Sequence, residues 1–298
     1  MVVRIGTRGS KLALAQAGRV CSILKAKGFE VEQKIITTEG DTVTGVPLHE
    51  VGGQGIFVRA LDDAIANDEI DAAVHSMKDI PAVRPPGLVT SAVLKRDSPA
   101  DFLAFRKPLS EVAVIGTSST RRSAQIRRHD PKVTIKPLRG NVDTRIRKLS
   151  EGEFDAVVLA EAGLQRLGIT LAGQRLPPER FVPAPNQGTI AVVSRIDPSL
   201  SEIMSLLDDP VTRQDVAMER AVMEQVGGGC YTPFGVYCRN GHLIAEVLSL
   251  DGTCEVRIDD DVASVEQARE RGRELRVRAR SLIREAYTAL GLKDESGE

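Results

Sequence analysis

Five stretches of the chain carry side chains whose types and spacing could do chemistry. Gly116-Thr117-Ser118-Ser119 runs directly into Thr120-Arg121-Arg122, so two guanidinium groups fall in the first turn of the helix that the hydroxyls would cap. Cations there oppose the helix macrodipole and cost stability unless an anion sits beside them, which an acidic ligand would supply. Leu138-Arg139-Gly140-Asn141-Val142-Asp143-Thr144-Arg145 places Arg139, Arg145 and then Lys148 about a second strand-to-helix turn. Between Arg121 and Lys148 stand ten Arg/Lys and two acids, Asp130 and Asp143, in a chain whose formal charge is -1. Guanidinium groups chelate carboxylate or phosphate bidentately, so two such junctions point to a ligand bearing several acidic groups. A solvated basic face is the plainer alternative.

The third stretch, His75-Ser76-Met77-Lys78-Asp79, closes the apolar run that begins at Ile70. It puts Lys78 and Asp79 at a strand's carboxyl end, where α/β active sites lie. An ionised Asp can stabilise a developing cation there; capping the next turn is its plainer role. Thr7-Arg8-Gly9-Ser10 is another hydroxyl-rich turn before a helix, fit for an anion or simply for a Ser10 cap. Gly227-Gly228-Gly229-Cys230 sets a thiol beyond glycines that admit close approach by another group, or is a plain glycine loop with an incidental cysteine. Cys21 falls on a helix face, Cys238 and Cys254 in strand-like runs, and His75 in an apolar run, so all four read as packing residues. The four histidines and four cysteines show neither metal nor disulfide spacing, and no metal is expected.

The elements that must hold these residues alternate. Val2–Ile5 reads as a strand, Ser10 to Gly28 as a helix with Ala13, Ala17, Val20, Cys21 and Leu24 on one face, and residues 29–36 as a strand. Thr37–Gly55 has almost no periodicity and reads as a mobile lid. A helix at 56–67 and strands at 70–75 and 89–94 follow, then a Pro-containing spacer, KRDSPAD. A second series begins with a strand at 112–115 and a helix opened by GTSS. A strand at 133–136, a helix at 142–149, a strand at 155–159 and a helix through Leu167 complete it. Ile190–Arg195 is a strand that could return to the first series. Beyond residue 208 come a long helix, hairpin signals at Asn240-Gly241 and Asp251-Gly252, and one charged helix over 263–291. The expected architecture is α/β: a β/α lobe at 1–94 with 189–207, a second at 95–188, and a small α+β domain at 208–298.

Composition narrows the function. A length of 298 residues suits more than one core, and 42% apolar with 27% charged residues is ordinary for a globular chain. With 3% aromatic residues and no tryptophan, base-stacking and sugar-stacking platforms are not expected. The balanced charge argues against nucleic acid or membrane as a partner, and the N-terminus lacks an export signal, so a cytoplasmic protein is expected.

Taken in order and spacing, IGTRGSKLALAQ, VGGQGIFVRAL, AVHSMKDIP, IGTSSTRR, LRGNVDTR, DAVVLAEAGLQRLG and GGGCYTPFG resemble the porphobilinogen deaminase (hydroxymethylbilane synthase) family over nearly the whole chain. The resemblance implies two periplasmic-binding-protein-like lobes plus a small C-terminal α+β domain that carries the cofactor. It implies a monomeric transferase of haem and related tetrapyrrole biosynthesis that joins four porphobilinogen molecules head to tail, releasing ammonia. Cys230 would hold a dipyrromethane cofactor as a thioether. Asp79 would be the catalytic carboxylate; Lys78, Ser119, Arg121 and Arg122 would hold cofactor carboxylates. Arg8, Ser10, Arg139, Arg145 and Arg166 would face porphobilinogen and the growing polypyrrole chain. The chain departs from the family's usual residues at Gln54, Arg59, Thr120, Asn186 and Tyr231-Thr232. Two other readings compete: a nucleic-acid-binding protein, which the absence of Phe, Tyr or Trp between Arg121 and Lys148 opposes, and a non-catalytic two-lobed polyacid-binding protein, which leaves the GGGC loop unexplained.

Overall fold

A computed structural model describes residues 2–37, 56–81, 84–227, 231–289 and 291. The stretch read as a lid lies outside the described residues except for Thr37, and so does Cys230. The chain forms two compact units, Met1–Asp97 with Gly188–Arg213, and Ser98–Gln187 with Gln214–Glu298.

In the first unit, β1 (Val2–Thr7), β2 (Glu30–Ile35), β3 (Ala72–Ser76), β4 (Leu88–Val93) and β10 (Ile190–Arg195) make one sheet in the order β2-β1-β3-β10-β4. β1 runs parallel to β2 and β3, and the return strand β10 runs antiparallel between β3 and β4. Helix α1 (Lys11–Ala26) buries Ala17, Val20, Cys21 and Leu24, a stripe at helical spacing, against Val3, Ile5 and Val74 of the sheet. Helix α2 (Ile56–Ala66) contributes Val58, Leu61 and Ile65 to the buried interior, and α6 (Pro198–Ser205), capped by Asp197, adds Met204 to the α1 core.

The second unit repeats this winding. Its strands are β5 (Asp101–Phe105), β6 (Val114–Gly116), β7 (Thr134–Lys136), β8 (Ala156–Ala160) and β9 (Gly173–Leu176), in the order β7-β6-β8-β5-β9. β6 is parallel to β7 and β8; β5 is antiparallel to β8 and β9, in the position that β10 holds in the first sheet. Helices α3 (Thr120–His129), α4 (Val142–Ser150) and α5 (Glu161–Leu167) link them. β5, β9 and α6 are absent from the sequence reading. Asp101-Phe102-Leu103-Ala104-Phe105 closes the Pro-containing spacer, and its partner β8 lies far along the chain, so no local pattern marks it.

The same unit holds a three-stranded antiparallel meander, β11 (Phe234–Arg239), β12 (His242–Leu248) and β13 (Glu255–Asp261). One face packs on α7 (Pro210–Val226), α8 (Val265–Arg278) and α9 (Arg280–Ala289) through Met218, Val222, Ala245, Val247, Leu275 and Ile283. The single charged helix expected over 263–291 is therefore corrected to two. The break is at Ala279, whose backbone leaves the helical region while its buried methyl stays in the core. The fold is thus α/β, with two similarly wound sheets and a small α+β C-terminal part.

Candidate functional site

In the first unit, the register of β1 on β3 pairs Ile5 with Ala72 and Gly6 with Ala73, which brings the carboxyl ends of both strands to one edge of the sheet. Arg8 and Ser10 follow one strand; Lys78 and Asp79 follow the other. Ser10 Oγ accepts from Ala13 N at 3.3 Å, the ordinary cap of α1. A 3-10 turn, Met77–Asp79, is closed by the Ile80 N–H donating to Met77 O at 3.1 Å. Met77 is buried and its N–H donates to Thr189 O on the return segment, so the turn is pinned from below while Lys78 and Asp79 are exposed. Gln16 of α1 donates to Ser76 Oγ at 2.8 Å, fixing the helix to the end of β3.

His75 is buried, as its apolar run suggested. Burial, followed by the charges of Arg84 and Arg8, pushes its imidazole down to about 3, so it is neutral near pH 7. Beside it, Arg84 pairs with the buried Asp62 at 2.7 Å and ties the segment after Asp79 to α2.

In the second unit, Ser119 caps α3, its Oγ accepting from Arg122 N at 3.4 Å. Ser118 Oγ both donates to Leu138 O and accepts from Leu138 N, each at 3.0 Å, so the two arginine-bearing turns are stitched together. Arg121 and Arg122 are almost wholly buried. Their Nη2 atoms lie 2.8 and 2.6 Å from the two oxygens of Asp101, which is fully buried at the start of β5. Arg121 Nη1 donates to Val182 O, Arg122 Nη1 to Val158 O, and Gln187 Nε2 adds a third bond to Asp101.

Burial alone would raise the Asp101 carboxyl, but the two guanidinium charges outweigh it and hold it below the usual carboxylate range. The anion that the helix N-terminus requires therefore comes from inside the fold. Sequence reading missed Asp101 because β5 itself carries no local signal.

Asp101 does not exhaust the positive charge. Burial, then the charge of Arg122, pushes the Arg145 guanidinium down to about 10, so a third guanidinium lies within reach of the Arg122 charge. Arg145 Nε donates to Gly140 O at 2.8 Å, and Arg122 Nε is buried without a hydrogen-bond partner. Such a cluster stabilises an incoming anion and is itself relieved by one. Arg139 is exposed in the turn before α4, and Arg166 is half-buried in the last turn of α5. Among the described residues, no group of three or more His, Cys, Asp or Glu could hold a metal ion. Arg8, Ser10, Lys78 and Asp79 thus belong to one compact unit, and Ser119, Arg121, Arg122, Arg139, Arg145 and Arg166 to the other.

Two family profiles match the chain. "Porphobilinogen deaminase, dipyromethane cofactor binding domain" covers residues 3–202, and "Porphobilinogen deaminase, C-terminal domain" covers residues 214–280. A "Probable porphobilinogen deaminase" of Methanosarcina acetivorans is 51% identical over 91% of this chain and 90% of that one. A "Porphobilinogen deaminase" of Syntrophobacter fumaroxidans is 40% identical over 97% and 99%. Among solved structures, a periplasmic substrate-binding protein of an ABC transporter from Coxiella burnetii aligns with 71% of this chain and 94% of its own, at 14% identity and a TM-score of 0.42.

Proposed function

The chain belongs to the porphobilinogen deaminase family, and from that premise we propose that it is a hydroxymethylbilane synthase. It joins four porphobilinogen molecules head to tail with release of ammonia, on a dipyrromethane primer carried by Cys230. The observation that carries this reading is the family correspondence across both matched regions, which together span most of the chain.

The residues present suit a primer whose rings bear carboxylates. Two buried guanidinium groups share one internal carboxylate, the Arg122 charge is felt by a third at Arg145, and a buried Arg122 N–H has no acceptor of its own. Lys78, Ser119, Arg121 and Arg122 would hold the primer's carboxylates, and Arg8, Ser10, Arg139, Arg145 and Arg166 those of the substrate and growing chain. When bound, the primer supplies the electron-rich pyrrole carbon to which the next ring is joined. Asp79 is exposed on a rigid turn at the end of a central strand. Its carboxylate stabilises the cation left on porphobilinogen as ammonia departs, and Lys78 next to it binds a primer carboxylate rather than competing with that cation for Asp79.

The domains we assign are 1–94 with 189–207, 95–188 and 208–298, the last bearing Cys230. We place the enzyme in the reducing cytoplasm as a monomer, a compartment that suits Cys21, Cys238 and Cys254, which form no disulfide among the described residues. Among the described residues no helix is long and apolar enough to cross a membrane. The test is to incubate the purified protein with porphobilinogen and follow ammonia and linear tetrapyrrole together. Both should appear in step; porphobilinogen bound but unconsumed would return the chain to a polyacid-binding role.

A further inference from the structure

The face of β12 turned away from the helical core packs against the second sheet's own helix. Ile244 lies there with Tyr237 and Val182, and Glu246, two residues on, is 1% exposed. α3 is fastened to this face at its carboxyl-terminal half. Arg127 Nη1 donates to Leu250 O at 2.7 Å, and Arg128 Nη1 stands 2.5 Å from Glu255 Oε1 and 3.8 Å from Glu246 Oε2. Arg257 of β13 approaches Glu246 Oε2 at 3.4 Å, pairs with Asp259 at 2.9 Å and donates to Glu179 O at 2.8 Å. The groups facing Glu246 are therefore Arg128 and, further along the same helix, Arg121 on one side, and Glu255 and Arg257 on the other.

Glu246 Oε1 is buried with no hydrogen-bond partner, so burial and the neighbouring Glu255 outweigh the Arg257 and Arg128 charges that favour the ionised form. Burial, followed by the Glu255 charge, pushes its carboxyl up to about 7 from 4.5, and the fold keeps a proton that the unfolded chain would release. The opposite end of α3 carries Arg121 and Arg122, and the strand that opens this sheet, β11, begins four residues after Cys230.

We propose that Glu246, sharing a proton with Glu255 between Arg128 and Arg257, is a positioning residue. It is a proton-dependent latch that seats the C-terminal sheet on the helix presenting Arg121 and Arg122 to the primer. The consequence for catalysis rests on the function proposed above; the latch itself does not. Its sign follows from linkage: a carboxyl raised in the folded state contributes stability that is complete below about 4.5 and is lost as pH rises through about 7.

Hydrogen exchange on the full chain tests it. Between about pH 5.5 and about pH 8, protection of Thr120–His129 and of the β12 and β13 strands should fall by about tenfold after correction for intrinsic rates. Glu246→Gln, neutral at every pH, should remove that fall, and Glu255→Gln, at a more exposed position, should move its midpoint to lower pH. An equal fall in wild type and Glu246→Gln, or none in wild type, overturns the latch. Over the same interval, kcat/KM for porphobilinogen in wild type should drop relative to Glu246→Gln; a constant ratio overturns its positioning role. If neither protein consumes porphobilinogen, the proposed function fails while exchange still decides the latch.

Discussion

At the scale of single residues, one carboxylate must meet solvent and substrate, and another must not. Asp79 is exposed, and its proposed task is electrostatic, so Asp79→Asn should keep the fold while lowering the rate of bilane formation by about 10²–10³. Near-normal turnover in that variant would take Asp79 out of the mechanism. Asp101 is the opposite case, buried beneath Arg121 and Arg122 and touching no solvent. Removing its charge strands two buried cations, and Asp101→Asn should cost about 3–5 kcal/mol in a denaturant titration. Because its carboxyl lies below the ordinary 3.8, the stability it gives is present above that value and lost as pH falls further, so the variant should be less acid-sensitive there than wild type. Parallel pH profiles of stability would show that the three side chains do not form an ionic cluster.

At the scale of elements, the α3 helix is the part on which most depends, and a glycine controls how the C-terminal sheet meets it. A Cβ on Gly252 would stand 2.3 Å from Ala124 O, and Gly252 has a φ of +77°. Gly168, which closes α5 at a φ of +64°, has nothing within 4 Å of a Cβ. Both pay the left-handed penalty of about 1 kcal/mol on substitution by alanine, and only Gly252 also meets backbone. Gly252→Ala should therefore lower stability by about 2 kcal/mol more than Gly168→Ala, read as a difference in denaturant midpoint at constant slope; equal shifts would deny the close contact. The elements legible in the sequence were those with a local signature. GTSS before Thr120, HSMKD after an apolar run, and the Asn240-Gly241 turn each encode their geometry within a few residues. β5 was not legible because Asp101–Phe105 acquires its strand character from β8 and β9, and Asp101 had no visible role without that strand. The break at Ala279 was equally silent, since neither Gly nor Pro marks it and its cause is the packing of α8 and α9 on one sheet face.

At the scale of the whole molecule, the two units share one sheet order, and each takes its antiparallel strand from a segment beside a crossover between them. A protein of this kind that builds a polymer stepwise needs the product tied to it between additions, and a thiol supplies that tether without a diffusible intermediate. If Cys230 is the tether, the denatured protein should be heavier than its sequence by a two-pyrrole adduct that survives thiol reductants, as a thioether does and a disulfide does not. Brief exposure to porphobilinogen should then add a ladder of masses, each step one substrate less ammonia, because each ring is joined while the chain stays attached. Cys230→Ala should lack both adduct and ladder. Alanine at Cys254, which is exposed, should keep both, and so should alanine at the buried Cys21 or Cys238 wherever the variant folds. Active enzyme with the bare polypeptide mass, or an adduct mapped to one of those three cysteines, would move the tether elsewhere and leave the arginine cluster to be explained by a ligand that arrives and departs freely.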